Sequence, residues 1–285
     1  MKRTVLLLVA LIMLAAMPAL AQSVVGDADR EAMRGIPDTW GFSIGSFWQT
    51  FDTKVRLNGR NNETGDWINL EKDLGLKRNL TDVQFAAFYR FSPHSRLDIS
   101  YVNWKRSHSK TLDREINWGD AIYDVGATLT TSNKAHLLNL IYKYSFFNNG
   151  KVNFGLNGGI SALWMDTKLS GEGTVSGGGN VAGTLAESKS FIAPIPVLGL
   201  HFEMTLTKRL FWRAEGNFFA ANVAGINGNL TEYGTSVDYF FTKNFGLGGG
   251  FAGTYYGIAK KDTKAGDFRF KYGFDGVVAY AKFAF

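Results

Sequence analysis

The side chains able to carry chemistry are few. The chain of 285 residues holds four histidines and no cysteine, so thiol chemistry, a disulfide scaffold and a lipid anchor on cysteine drop out at once. His108 and His136 have the most polar company: Ser107 and Ser109 flank the first, and Asp113, Glu115, Asp120 and Asp124 follow it. Serine, histidine and acid in one region are the materials of hydrolysis. The surrounding alternation speaks against it, because His108 shares the parity of inward residues and His136 that of outward ones. We expect polar rim residues here, with no catalytic, metal or cofactor site, and a non-enzymatic protein.

A second grouping has firmer geometry. A hairpin centred on Lys208 sets Glu203 opposite Arg213 and His201 opposite Glu215. A histidine among charges suggests a gate or a proton-sensitive site. The plainer reading, which we prefer, is that buried charges need partners and these supply one another. The glycine-rich stretch 171–183 has no following Lys-Ser/Thr and no helix signal, so it reads as a loop and not a phosphate cradle.

The elements that must position these groups follow from period two. Trp40, Phe42, Ile44 and Trp48 alternate with small or polar residues, and comparable runs recur around 83–91, 97–101, 138–146, 152–164, 198–205, 210–218, 231–239, 245–255 and 275–285. Turns are short at Ser92–Ser95, Asn148–Gly150, Thr207–Arg209 and Thr242–Asn244, while the other connections are mostly longer: a polar segment to about residue 80, residues 110–134 and 171–183. Apolar and aromatic side chains fall on one face of each strand and nearly every mid-strand charge on the other. This pattern gives an all-β fold, a transmembrane antiparallel up-and-down β-barrel of ten strands, with eight or twelve as alternatives, short turns on the periplasmic side and long loops outside. Trp40, Trp48, Trp104, Trp164 and Trp212 are expected at strand ends or in interfacial girdles.

The ends and composition agree. Lys2-Arg3, an apolar run from Val5 to Met17 and Ala19-x-Ala21 read as a signal peptide over 1–21, followed by a short periplasmic segment over 22–39 with a helical turn around Ala28–Met33 and the barrel over 40–285. The formal net charge of +6 is interspersed with acids, which gives no nucleic-acid patch.

The last strand, ending in Phe283 and Phe285, resembles the closing strand of Gram-negative outer-membrane proteins. The resemblance implies recognition by the barrel-assembly machinery, with periplasmic chaperones as partners in biogenesis. DLGL at 73–76, YRFSPHSRLDISY at 89–101, YKYSF at 142–146, APIPVLGLHFEMTLTKR at 193–209 and TKNFGLGGGF at 242–251 are similar to a family of small bacterial outer-membrane barrels, described as porin-like or OmpA/OmpW-like and without assigned function. That implies location in the bacterial outer membrane, contact with its lipid and lipopolysaccharide, and no catalytic residue.

Such a barrel turns Arg90, Lys143, Arg213 and Lys282 inward with Asp98, Glu203, Glu215, Glu232 and Asp238, together with His201. Opposite signs in a narrow interior should pair, so we expect a charge-paired, largely plugged lumen and external loops for surface contacts. A narrow porin for small solutes is the alternative, and an outer-membrane enzyme acting on lipid or peptide the third reading. Glycines facing inward near 246–250 either leave a passage or make room for Phe219 and Tyr280.

Overall fold

The computed structural model describes residues 39–58, 65–118, 121–175, 183–223, 226–260 and 267–285. The expected signal peptide, the helical turn at Ala28–Met33 and nearly all of segment 22–39 lie outside the described residues. The elements are β1 (Trp40–Leu57), β2 (Ile68–Asn69), β3 (Asn79–Ser92), β4 (Ser95–Thr111), β5 (Ile116–Trp118), β6 (Ala121–Tyr123), β7 (Thr128–Asn148), β8 (Val152–Val175), β9 (Gly183–Thr207), β10 (Leu210–Val223), β11 (Ile226–Phe240), β12 (Phe245–Lys260) and β13 (Phe268–Ala284). The ten long strands pair antiparallel in chain order, and β13 returns to β1 from Gly41–Ala284 to Leu57–Phe268. The wall is closed.

Side-chain parity holds along each strand, but the meaning of inside and outside reverses partway up. Near the short-turn end the outward residues are apolar and exposed: Trp40, Phe42, Ile44 and Trp48 on β1, Val83, Phe85, Tyr89 and Phe91 on β3, Leu198 and Leu200 on β9, Val277 on β13. From Trp40 to Trp48 a tilted strand rises roughly 20 Å, close to the ~25 Å apolar band of a membrane barrel. Further along, the outward residues become Asp52, Lys54, Asn103, Lys105, Lys134, Lys168, Arg269 and Lys271. The interior changes at the same height from charged to apolar. Phe51, Trp104, Tyr272 and Phe274 pack there with ring centroids 5.2–5.9 Å apart, joined by Leu129, Leu163, Met165, Leu169 and Phe270. Where lipid surrounds the wall it presents apolar groups outward; where water surrounds it, burying apolar groups inside is favourable.

The long-loop end carries its own cap. Residues 68–78 fold back on the barrel: β2 pairs with β1 through Lys54–Asn69 and Val55–Ile68, and Ile68, Leu70, Leu74 and Leu76 are at most 2% exposed. Gly75 takes a left-handed turn, φ 69°, between the two buried leucines, a conformation that favours glycine. The cap is tied down by an ion pair inside the barrel. Arg106 Nη1 donates to Glu71 Oε1 at 2.6 Å, Arg106 Nη2 to Thr53 Oγ1 at 3.0 Å, and the Thr53 amide to Glu71 Oε2 at 2.8 Å.

Several expectations need correction. The polar segment to residue 80 is in part a buried apolar cap, and β1 runs on to Leu57. Residues 110–134 are largely strand among those described, and β8 runs on to Val175, because β4, β7, β8 and β9 project beyond the apolar belt and keep pairing there; the rest of the expected glycine-rich loop, 176–182, lies outside the described residues. Trp104 belongs to no girdle: it is 3% exposed within the upper core. The interior is charged in its lower part and, higher up, is apolar apart from the Arg106–Glu71 pair.

Ile44 lies midway along the outward belt of β1. Ile44→Arg should cost about 2–4 kcal/mol in denaturant unfolding of the refolded protein in vesicles. A cost below about 0.5 kcal/mol would place Ile44 outside the hydrocarbon.

Candidate functional site

The short-turn end of the lumen is crossed by one chain of alternating charge. Glu215 Oε2 meets Lys143 Nζ at 2.6 Å, and Lys143 Nζ meets Asp98 Oδ2 at 2.9 Å. Asp98 Oδ1 accepts from Arg96 Nε at 2.6 Å, and Arg96 Nη1 reaches Glu203 Oε1 at 2.8 Å. Glu203 also takes Arg213 Nε at 3.5 Å and Arg90 Nη2 at 3.4 Å. Arg213 Nη1 continues to Asp238 Oδ2 at 2.7 Å, which also accepts from Lys282 Nζ at 3.0 Å. The partners lie on β3, β4, β7, β9, β10, β11 and β13, so the chain spans the lumen and does not merely line one wall.

Local register explains why these side chains meet. β9 and β10 pair Glu203 with Arg213 and His201 with Glu215, the arrangement expected from a turn at Lys208. His201 does not join the ion chain. Its Nδ1 lies 2.7 Å from Asn157 Oδ1 and its Nε2 3.2 Å from Ser145 Oγ, so both ring nitrogens have neutral partners. Below the ions, Phe88, Phe211, Phe240 and Ala284 form a small apolar floor, and the Arg96 guanidinium sits 4.1 Å over the Phe88 ring. Gly248 has a steric purpose. A Cβ there would fall 2.3 Å from both Asp238 Oδ1 and the Tyr280 ring, so the inward glycine makes room for Tyr280, whose hydroxyl donates to Asp238 at 2.6 Å.

Between the ion chain and the apolar upper core lies a cavity of about 280 Å³, bordered by Ser100, Asn139, Asn217, Glu232 and Thr254 among others. At ~30 Å³ per water it has room for roughly nine waters. Glu232 is an inward acid set apart from the ions. It accepts from Ser161 Oγ at 3.0 Å and Asn217 Nδ2 at 3.3 Å, and no cation bridges to it among the described residues. The Ser161 hydroxyl also touches Tyr256 OH and Asn139 Oδ1, each at 2.7 Å.

The rim histidines stay apart. Asn103 pairs with His136 and His108 with Thr131, five rungs distant and on opposite faces. His136 Nδ1 is engaged by Tyr101 OH at 2.8 Å, and the His108 ring lies against Gly75. No cluster of metal-ligating side chains occurs among the described residues. At the seam, Phe285 stacks on Trp40 at 4.5 Å and Phe283 on Phe42 at 5.0 Å. The Phe285 amide donates to Trp40 O at 2.8 Å.

Sequence reasoning missed Arg96, Arg106 and Glu71. Arg96 has the inward parity of Asp98, two residues on, and was hidden by its place between the Ser92–Ser95 turn and the alternation that begins at Leu97. Arg106 shares that parity further up β4, whereas Glu71 lies in a segment without alternation and had no comparable signal.

No protein-family model matches the chain, and no curated protein matches it. Solved structures do. The outer membrane protease OmpT from Escherichia coli superposes with a TM-score of 0.55 at 14% identity, over 88% of this chain and 98% of that one. OprG from Pseudomonas aeruginosa gives 0.38 at 9% identity, over 88% and 99%. The toluene transporter TodX of Pseudomonas putida gives 0.37 at 9%, over 90% and 92%. The last two scores are too low to carry an argument, and the first speaks for fold alone. The closed ten-stranded wall and this likeness give the chain the fold of an outer-membrane β-barrel, and the outward apolar belt suits that wall to a lipid bilayer.

Proposed function

We propose that this barrel is a non-enzymatic envelope protein with a plugged lumen, presenting its external end for surface contacts. The observation that carries this reading is the pair of stoppers on either side of the central cavity: the ion chain from Glu215 to Lys282 below, and the apolar core with its cap over residues 68–78 above. Each ion has at least one partner of opposite sign, which offsets part of the cost of removing it from water. The stacked Phe285 and Phe283 at the seam fit the end of a strand read by the assembly machinery. A narrow channel for small solutes is the second reading, favoured by the cavity itself. The protease likeness adds no site, since it rests on fold and the rim histidines diverge.

Planar-bilayer recording on the refolded protein tests the plug. Stable single-channel steps should be absent; steps whose size responds to Glu203→Gln or Arg213→Gln would make it a channel. Glu203→Gln should also destabilise the barrel by about 3 kcal/mol, because the carboxylate that Arg90, Arg96 and Arg213 share is lost, leaving Arg96 only Asp98 and Arg213 only Asp238 among the acids of the chain. An unchanged unfolding midpoint would remove Glu203 from the centre of the network. Lipid or peptide turnover lost in His108→Ala would replace the non-enzymatic reading.

A further inference from the structure

The seam where the barrel closes carries a charge pattern that strand pairing alone disfavours. On its outward face β1 and β13 set Trp48 opposite Val277 at the top of the apolar belt. Six residues further up they set Lys54 opposite Lys271, and on the next outward rung Arg56 opposite Arg269. The inward neighbours Val55, Leu57, Phe270 and Tyr272 are buried, so the four cations point away from the lumen, with Lys54, Arg269 and Lys271 exposed. Side chains directly opposed in a ladder stand roughly 5 Å apart at Cβ, and like charges there repel. Among the described residues, local compensation is slight. Lys54 meets the exposed Asp52 carboxylate at 3.6 Å, Lys271 lies 5.4 Å from the Trp67 ring, and Arg56 Nε donates to Asn58 Oδ1. An exposed pair of this kind contributes little. Two successive like-charge rungs cost stability in a bare barrel and become favourable against a polyanion.

Height selects the anion. Six residues of tilted strand rise roughly 15 Å above Trp48, whereas the polar region of a phospholipid leaflet is only about 5–8 Å thick. A phospholipid phosphate therefore stays below Lys54 and Lys271. A headgroup of several sugars bearing phosphates or carboxylates, anchored in the same leaflet, reaches them. The cations lie on the flank of the wall, where a molecule standing beside the barrel meets them. At comparable height on β10–β12 the outward residues Asn222, Asn227, Asn229 and Gly257 carry no charge; elsewhere on the wall Lys105 faces Lys134 across β4 and β7, but there Asp166 stands opposite Lys134 on β8, whereas no acid stands directly opposite either cation rung of the seam.

We propose that the closing seam is a binding site for the polyanionic sugar headgroup of an outer-leaflet glycolipid, held by Lys54, Arg56, Arg269 and Lys271. Each strand of the seam supplies two of the four cations. The site is complete only once β13 has paired with β1, and occupancy stabilises the closed barrel over any open form.

Thermal unfolding of the refolded full barrel in zwitterionic micelles tests this. Rough lipopolysaccharide with a phosphorylated core should raise the wild-type midpoint by about 3 °C or more, and phosphatidylglycerol of equal total charge should not. Lys271→Glu makes one repulsive rung attractive, so its midpoint without lipid should rise while its response to lipopolysaccharide falls by at least half. Arg269→Glu provides a second variant with the same two expectations. A full lipid response in both variants would overturn the site, as would an equal response of the wild type to phosphatidylglycerol. An equal response to the water-soluble core oligosaccharide, freed of its acyl chains, would overturn the lipid assignment.

Discussion

A chain that crosses lipid as strands must satisfy every backbone donor and acceptor within the sheet, because hydrocarbon offers no partner. The pairing of β13 with β1 is the interaction on which the rest depends. It removes the last two edges, and it does so over the full length of both strands, from Gly41–Ala284 to Leu57–Phe268. Closure also brings together ions from distant parts of the wall: Arg90 on β3 reaches Glu203 on β9, and Lys143 on β7 reaches Glu215 on β10. Phe285 holds the end of the seam by stacking on Trp40.

The same ten strands solve two solvent problems in sequence. Within the belt the wall is apolar outside, and the polar residues must find one another in a narrow interior. Above the belt water surrounds the wall, and the interior closes on aromatic and aliphatic side chains as a soluble barrel does. Arg106 and Glu71 are the exception in that upper core. They lie deep among apolar groups, the Arg106 guanidinium 4.3 Å over the Phe51 ring, and they tie the cap to β1 and β4. Removing either partner would leave a buried charge, which is far more costly than never having built the pair.

Much of this was legible in the residues. Strand number, closure, the outward belt and the pairing of Glu203 with Arg213 all follow from period two and one short turn, because those relations are local or repeat. The cap did not announce itself. Ile68, Leu70, Leu74 and Leu76 have no steady period, and the surfaces that bury them come from strands distant in the chain. Arg106 and Glu71 stand 35 positions apart with no pattern linking them. Trp104 looked like a girdle residue because alternation was traced on β4 only to about Tyr101, and the strand continues to Thr111. What the residues alone could not convey was where the surrounding solvent changes from lipid to water.

The absence of cysteine makes the central claim, a lumen stoppered at both ends, open to direct measurement. Ser100 borders the cavity, and Ser100→Cys places one thiol there in an otherwise thiol-free chain. In sealed vesicles, a small membrane-impermeant maleimide added to either side should leave the folded protein unlabelled over minutes, while the denatured protein reacts fully. Rapid labelling of the folded barrel from either side would show an open path to the cavity and contradict the account.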